Sequence, residues 1–334
     1  MTIPIIRAHG SHREAGWVIG VATADTIRRA AADPFDAALA RGFRAVTVQH
    51  LPRVVEELDA AAEAAGADPL GVFAASVEEL ASPALAGTGC SDLVVTGART
   101  ADGHLLVAHT NDLEASLEKD VVAVERHVDG EPTIFTLGVG PWLSVGWNGA
   151  GLSVTGNELT PADDRVGIPR LLQMRDVVAR RTVREAIESI LHPARASSYN
   201  WVLAHRDGEV ANVEGSATAA AVTEPVAGAL AHANDYRDPE MRLFEANRRA
   251  ADSAKRCERA ERLLAETAGE RLTVDRLREL LSDHVGAPDS LCRHGDHEGV
   301  KTVFWCIADV TAGTVVYGRG NPCESDAETY AFAA

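Results

Sequence analysis

From Ser11 to about residue 82 the apolar positions recur at helical spacing. In "HLPRVVEELDAAAEAAGADP", Leu51, Val54, Val55, Leu58 and Ala62 share one face of a helix. Ser11 with Glu14 three residues later forms a capping-box pattern, and Asp68 ahead of Pro69 marks another helix start. Pro83 and the small residues "ALAGTG" close this region. After Cys90 the texture changes to short runs rich in β-branched residues, such as "SDLVVTGART", "GHLLVAHTND", "DVVAVERHV" and "PTIFTLGV". Turns at 101–103 and 129–130 separate them. Helical stretches are predicted at 169–179 and 183–191, the second capped by Thr182, and strands return in "NWVLAHR", "EVANVEG" and "GALAHAND". A charged helix is expected over 239–266 and a shorter one over 274–282, ahead of the closing strands "TVFWCIADV" and "TVVYGR".

Successive hairpins before any central helix argue against a doubly wound parallel sheet. The order predicts an α+β fold of two antiparallel sheets covered by helices. The helical front meets the strand-rich body at 87–90. The chain therefore divides into a helical N-terminal segment, 1–89, and a body, 90–334, which together are expected to form one structural domain.

Charge narrows the function classes. With 32 Lys plus Arg against 49 Asp plus Glu, the 334-residue chain carries a formal charge of −17. Such a surface repels phosphate backbones and anionic lipid, which disfavours nucleic-acid and membrane partners. The opening lacks the basic start and apolar run of a signal peptide, so a cytoplasmic location is expected. Five scattered cysteines without C-x-x-C spacing predict neither a disulfide framework nor a zinc site. The cluster His294, Asp296, His297 and Glu298 reads as a polar loop, so no metal is expected. Trp142, Trp147 and Trp201 suit strand packing, with lining of an acyl pocket as the alternative.

The Gly89–Cys90 step at the joint carries the candidate chemistry. If that peptide bond were cut, Cys90 would present a thiol and a free α-amine on one residue. An α-amine titrates near ~8, so nucleophile and base would come as one unit. The cut itself follows from attack of the Cys90 thiol on the Gly89 carbonyl, then hydrolysis of the thioester; glycine leaves that carbonyl uncrowded. A plain buried cysteine is the alternative.

The surrounding motifs resemble those of the acyl-coenzyme A:6-aminopenicillanic acid acyltransferase (isopenicillin N acyltransferase) family. These are autoproteolytic N-terminal-nucleophile (Ntn) proteins related to the insect β-alanyl-dopamine hydrolases. The likeness rests on "HGSHREAGW", on "GCSDLVVTGARTADGHLLVAHTNDL" with Cys90, Gly103 and Asp112, and on "VGWNGAGLSVTGNEL" with Trp147 and Asn157. It also rests on Glu214 to Ser216 in "NVEGSAT" and His232 to Asn234 in "LAHANDY". The resemblance implies a four-layer αββα sandwich with the nucleophile opening an inner strand. It implies Cys90 as nucleophile and cleavage residue, Asn234 as oxyanion donor, and Asp112 holding the free amine of Cys90 or the incoming amine. Ser216, Glu214, Asn157 and Trp147 would serve maturation or substrate placement. Turn roles for Asp112 and Asn234, a backbone-satisfying role for Ser216 and a solvent-facing role for Glu214 stay open. In the stretch "HEGVKTVFW", Glu298 and Gly299 stand where the family has Ser-Arg, leaving Lys301 or Arg293 to supply the positive charge.

The expected function is amide hydrolysis or acyl transfer through an acyl-enzyme on Cys90. Substrates would be a small-molecule amide or acyl thioester, acyl-coenzyme A included, with water or an amine as acceptor. No cofactor is expected, and the cleaved N-terminal fragment would be a partner. Two other readings stand beside it: a fold relative that never matures and acts as a binding or structural protein, and an uncleaved enzyme using His109 or His232 as base.

Overall fold

The computed structural model describes residues 2–80, 89–247, 250–295 and 299–333. The chain opens with β1 (Ile5–Gly10), followed by α1 (His12–Ala22), α2 (Ala24–Ala31), α3 (Ala37–His50), α4 (Pro52–Ala65) and α5 (Pro69–Ala75). A hairpin follows, β2 (Gly89–Val95) and β3 (Leu106–Glu114), then a meander of β4 (Val121–Val128), β5 (Ile134–Val139), β6 (Trp142–Asn148) and β7 (Leu152–Asn157). Helices α6 (Arg170–Val177) and α7 (Val183–Ile190) precede β8 (Asn200–His205), β9 (Val210–Gly215), β10 (Ala220–Thr223) and β11 (Ala229–His232). The chain closes with α8 (Ala250–Glu266), α9 (Val274–Leu281), β12 (Val300–Asp309), β13 (Thr314–Arg319) and β14 (Glu328–Ala331).

The strands form an eight-stranded sheet, ordered β1-β4-β5-β6-β7-β8-β9-β10, and a six-stranded sheet, ordered β11-β2-β3-β12-β13-β14. Strand alternation decides what each face meets. On β2 and β12, Val94, Phe304 and Cys306 face the other sheet and pack against Phe135, Leu137, Trp147 and Val202. The intervening residues Leu93, Val95, Trp305 and Ile307 pack against Leu263 and Leu264 of α8 and Leu277 and Leu281 of α9. On the outer face of the larger sheet, Val154, Trp201 and Val213 meet Met174 and Val177 of α6 and Val183 and Ile190 of α7. The result is the αββα sandwich.

Several helix starts follow from their caps. Ser11 and Glu14 form the reciprocal capping box of α1, Asp68 accepts from the Leu70 and Gly71 amides, and Thr182 accepts from that of Glu185. Two features depart from the sequence reading. The N-terminal segment is not all helical: β1 pairs in parallel with β4, with His9 stacked on His127 at 4.6 Å. A six-residue edge strand carries too little periodic signal to be separated from the helix that follows it. The charged helix expected from 239 is preceded by a tight turn at Met241–Phe244, and α8 runs from Ala250. Between them Glu245 bridges Pro161, and Asn247 donates to the Asn234 carbonyl at 2.8 Å. These tertiary contacts override local helix propensity.

Close backbone contact holds the N-terminal helices to one another, and buried charge ties them to the body. A Cβ on Gly16 would lie 2.0 Å from the Glu57 carbonyl oxygen, and one on Gly20 2.3 Å from that of Ala61, so α1 and α4 touch backbone to backbone. Glu57 of α4 accepts from Arg126 of β4 at 3.0 Å and from Arg175 of α6 at 3.1 Å, and it meets His12 of α1 at 3.3 Å.

Candidate active site

Cys90 is the second residue of β2, a strand flanked by β11 and β3 in the smaller sheet. Its alternation with Val94 turns the side chain toward the facing sheet, and it is 7% exposed. Asn111, opposite it on β3, donates Nδ2–H to the sulfur at 3.5 Å. The Cys90 amide donates to Asn234 Oδ1 at 2.9 Å. Asn234 lies in the loop after β11, and its own amide donates to Ser253 Oγ of α8 at 2.6 Å.

The next residue back faces a different environment. Gly89 stands opposite Asp112, and both belong to the helix-covered side of the sheet. A Cβ at Gly89 would lie 3.0 Å from Arg293 Nη1 and 3.2 Å from Arg256 Nη2 and Asp112 Oδ2. Arg256, Arg293 and Asp112 are all buried. Thr302 donates to Asp112 Oδ1 at 2.7 Å. Burial lifts the Asp112 carboxyl above its ordinary range, opposed by Arg293 and Arg256. Arg256 also donates to Asn234 Oδ1 at 2.5 Å. Two guanidinium groups and one carboxyl group thus crowd the Cα of the residue that precedes Cys90.

A polar chain runs from Cys90 between the sheets. His109, diagonal to Cys90 on β3, meets Asp92 at 3.1 Å, and among the described residues its Nε2 has no hydrogen-bond partner. Burial opposes charge on this imidazole, but Asp92 and the neighbouring Cys90 carry its pKa up to about 10. Asp92 accepts from Thr155 at 2.6 Å and from Asn157 at 2.8 Å, both on the opposite sheet. His232 lies 3.1 Å from Asn157 Oδ1 and 2.9 Å from Glu214. Glu214 also accepts from the Arg237 and Asp238 amides.

The structure therefore groups Gly89, Cys90, Asp112 and Asn234, and joins Asn157 and Glu214 to them through Asp92 and His232. Glu214 is buried rather than solvent-facing. Ser216 does not enter the group: its hydroxyl bonds Asp163 at 3.0 Å and organises the turn before β10. Trp147 packs in the inter-sheet core beside Phe135. Lys301 pairs with Glu118 at 2.6 Å, so Arg293 is the cation of the two at the site. Gly87, Asp296, His297 and Glu298 lie outside the described residues. Sequence reasoning passed over Arg256, an ordinary member of a charged helix, and Asn111, whose turn-forming type masked its place on a strand.

Two face-to-face sheets with helices outside form an αββα sandwich, the fold class expected of Ntn-hydrolases. Within it, the chain belongs to the acyl-coenzyme A:6-aminopenicillanic acid acyl-transferase family, whose profile matches residues 98–324, downstream of Cys90. Membership places it among acyl-transferring enzymes acting on amide-type substrates. No curated protein matches the sequence. Among solved structures, it is similar to a variant of conjugated bile acid hydrolase from Clostridium perfringens: 13% identity, 73% of this chain and 97% of that one, TM-score 0.49. A Caenorhabditis elegans ortholog of N-acylethanolamine-hydrolyzing acid amidase aligns at 15% identity over 66% of this chain and 93% of that one, TM-score 0.47. Penicillin V acylase from Agrobacterium tumefaciens aligns at 11% identity over 71% and 84%, TM-score 0.44. Among the described residues no helix is long and apolar enough to cross a membrane.

Proposed function

We propose that the protein is a precursor that cuts itself between Gly89 and Cys90 and then acts as an N-terminal-cysteine amidohydrolase or acyltransferase. The observation that carries the reading is the cradle at the bond: the Cys90 amide on Asn234, Asn111 on the sulfur, and Arg256, Arg293 and Asp112 around Gly89. Attack of the sulfur on the Gly89 carbonyl would place negative charge on the oxygen of a residue whose Cα is flanked by two buried guanidinium groups. Water then releases the N-terminal segment and leaves the Cys90 α-amine free.

In turnover, the thiol attacks the substrate's carbonyl while the α-amine takes its proton and passes it to the departing amine or thiolate. Water or an amine then removes the acyl group from sulfur and returns the proton. Asn234 Oδ1 accepts from the nitrogen of Cys90, which orients it. Asn234 Nδ2 gives one of its two N–H groups to the Glu158 carbonyl at 3.1 Å, and oxyanion donation in this reading uses the other. The substrate class is a small amide or acyl thioester.

Intact-mass measurement of the purified protein tests this. The expected result is two pieces, the larger starting at Cys90, and a single uncut, inactive chain for Cys90→Ala. Fragmentation and turnover both persisting in Cys90→Ala would end the proposal. An uncut but active wild type would favour a second reading, suggested by the Cys90–His109–Asp92 alignment, in which the intact chain uses His109.

A further inference from the structure

We propose that His284, Cys292, His294 and Cys323 form a structural zinc site that locks the loop carrying Arg293. The four come from three places: His284 from the turn after α9, Cys292 and His294 from the approach to β12, and Cys323 from the turn after β13. Their ligand atoms all lie within 4.8 Å of one another.

Four of the six edges between these atoms are close to those of a tetrahedral zinc site, and the other two, from His284 to the sulfurs, are no longer than 4.8 Å. Zn–S bonds of about 2.3 Å and Zn–N bonds of about 2.0–2.1 Å imply tetrahedral edges of about 3.8 Å between sulfurs, 3.6 Å between sulfur and nitrogen, and 3.3 Å between nitrogens. The two sulfurs are 3.6 Å apart, the His294 Nε2 lies 3.6 Å from Cys292 and 3.3 Å from Cys323, and the two Nε2 atoms are 3.0 Å apart. The sulfurs are too far apart for a disulfide, whose bond is about 2.05 Å. Two thiolates and two imidazoles, with no oxygen donor, suit Zn2+ among common divalent ions.

The surroundings support the donors. Asn321 Nδ2 donates to the Cys292 sulfur at 3.4 Å, and Glu324 lies 3.8 Å from the other ring nitrogen of His294. A hydrogen bond such as that from Asn321 orients a thiolate ligand, while Glu324, beyond hydrogen-bond distance, adds negative charge beside His294. Four protein ligands leave no open position, so the ion would be structural rather than catalytic.

Its consequence lies at residue 293, between two of the ligands. The Arg293 carbonyl accepts from Asn321 Nδ2 at 2.7 Å and from the Thr302 amide at 2.9 Å. The guanidinium reaches Gly89 and Asp112. An ion clamping 292 and 294 to the turn at 323 would hold this arginine in place.

Metal content tests the assignment independently of turnover. Untagged full-length protein, purified without chelator from zinc-supplemented cells, is expected to carry about one zinc per chain by elemental mass spectrometry. Cys323→Ser and His284→Ala should fall to background, whereas Cys323→His, which keeps a ligand, should retain the ion. Cobalt added to the wild type should give the absorption bands of a tetrahedral thiolate complex, a readout that needs no variant to fold. Background zinc in the wild type, cobalt spectra without thiolate charge transfer, or a mapped Cys292–Cys323 disulfide in freshly purified protein would each overturn it.

Discussion

Replacing Gly89 with valine would drive branched carbon into a space bounded at 3.0–3.2 Å by Arg293, Arg256 and Asp112. These groups are buried and hydrogen-bonded, so they have little room to withdraw. Glycine at this position thus answers to a specific crowd of side chains, beyond any general tolerance of strained backbone. The expectation is that Gly89→Val slows self-cleavage at least about tenfold, a barrier increase of about 1.4 kcal/mol. Timed intact-mass spectra from freshly expressed protein would measure it. An unchanged rate would show that the cradle plays no part in the cut.

At the scale of elements, the site depends on β2, β3 and β11 being held in register, and the N-terminal helices brace the opposite sheet. Glu57 is the node of that brace. Burial alone would raise its pKa, but Arg175, Arg126 and His12 hold the carboxyl well below its ordinary range. Removing it leaves two buried guanidinium groups without their shared partner. Glu57→Ala should therefore cost about 3–5 kcal/mol of stability, read as a shift in the urea unfolding midpoint. The same contacts lead us to expect that the N-terminal segment stays bound after cleavage.

For the whole molecule, the titrating groups with raised pKa values set the response to pH. His12, beside Glu131 and Glu57, is lifted to about 9, and His109 to about 10. Free histidine titrates near ~6.5. Between that value and the raised ones the folded chain holds protons that the unfolded chain has released, so stability falls as pH rises. Glu79, raised to about 7 by burial, starts the decline earlier, from its unfolded value near ~4.3. Thermal midpoints should therefore fall between about pH 6.5 and 10. The decline should be shallower in His12→Asn, while a flat profile in the wild type would refute the assignment. Glu57 acts in the other direction: its contribution is lost as pH falls below the ordinary carboxylate range.

Much of the architecture was legible along the chain because it is written in local periods. Alternation from Cys90 to Val94 already places the thiol on one face of a strand, and the Ser11, Asp68 and Thr182 caps mark where helices begin. The Gly-Cys step and the family motifs drew attention to Cys90, Asp112 and Asn234. Long-range contacts leave no such period. Arg256 is one cation among many on α8 until folding sets it against Asn234, and β1 is a strand because β4 lies beside it. His284, Cys292, His294 and Cys323 show no motif spacing, since three loops must close before their donor atoms converge. Local chemistry determined the elements and the nucleophile candidate; the packing of the sheets and loops decided which charges surround it.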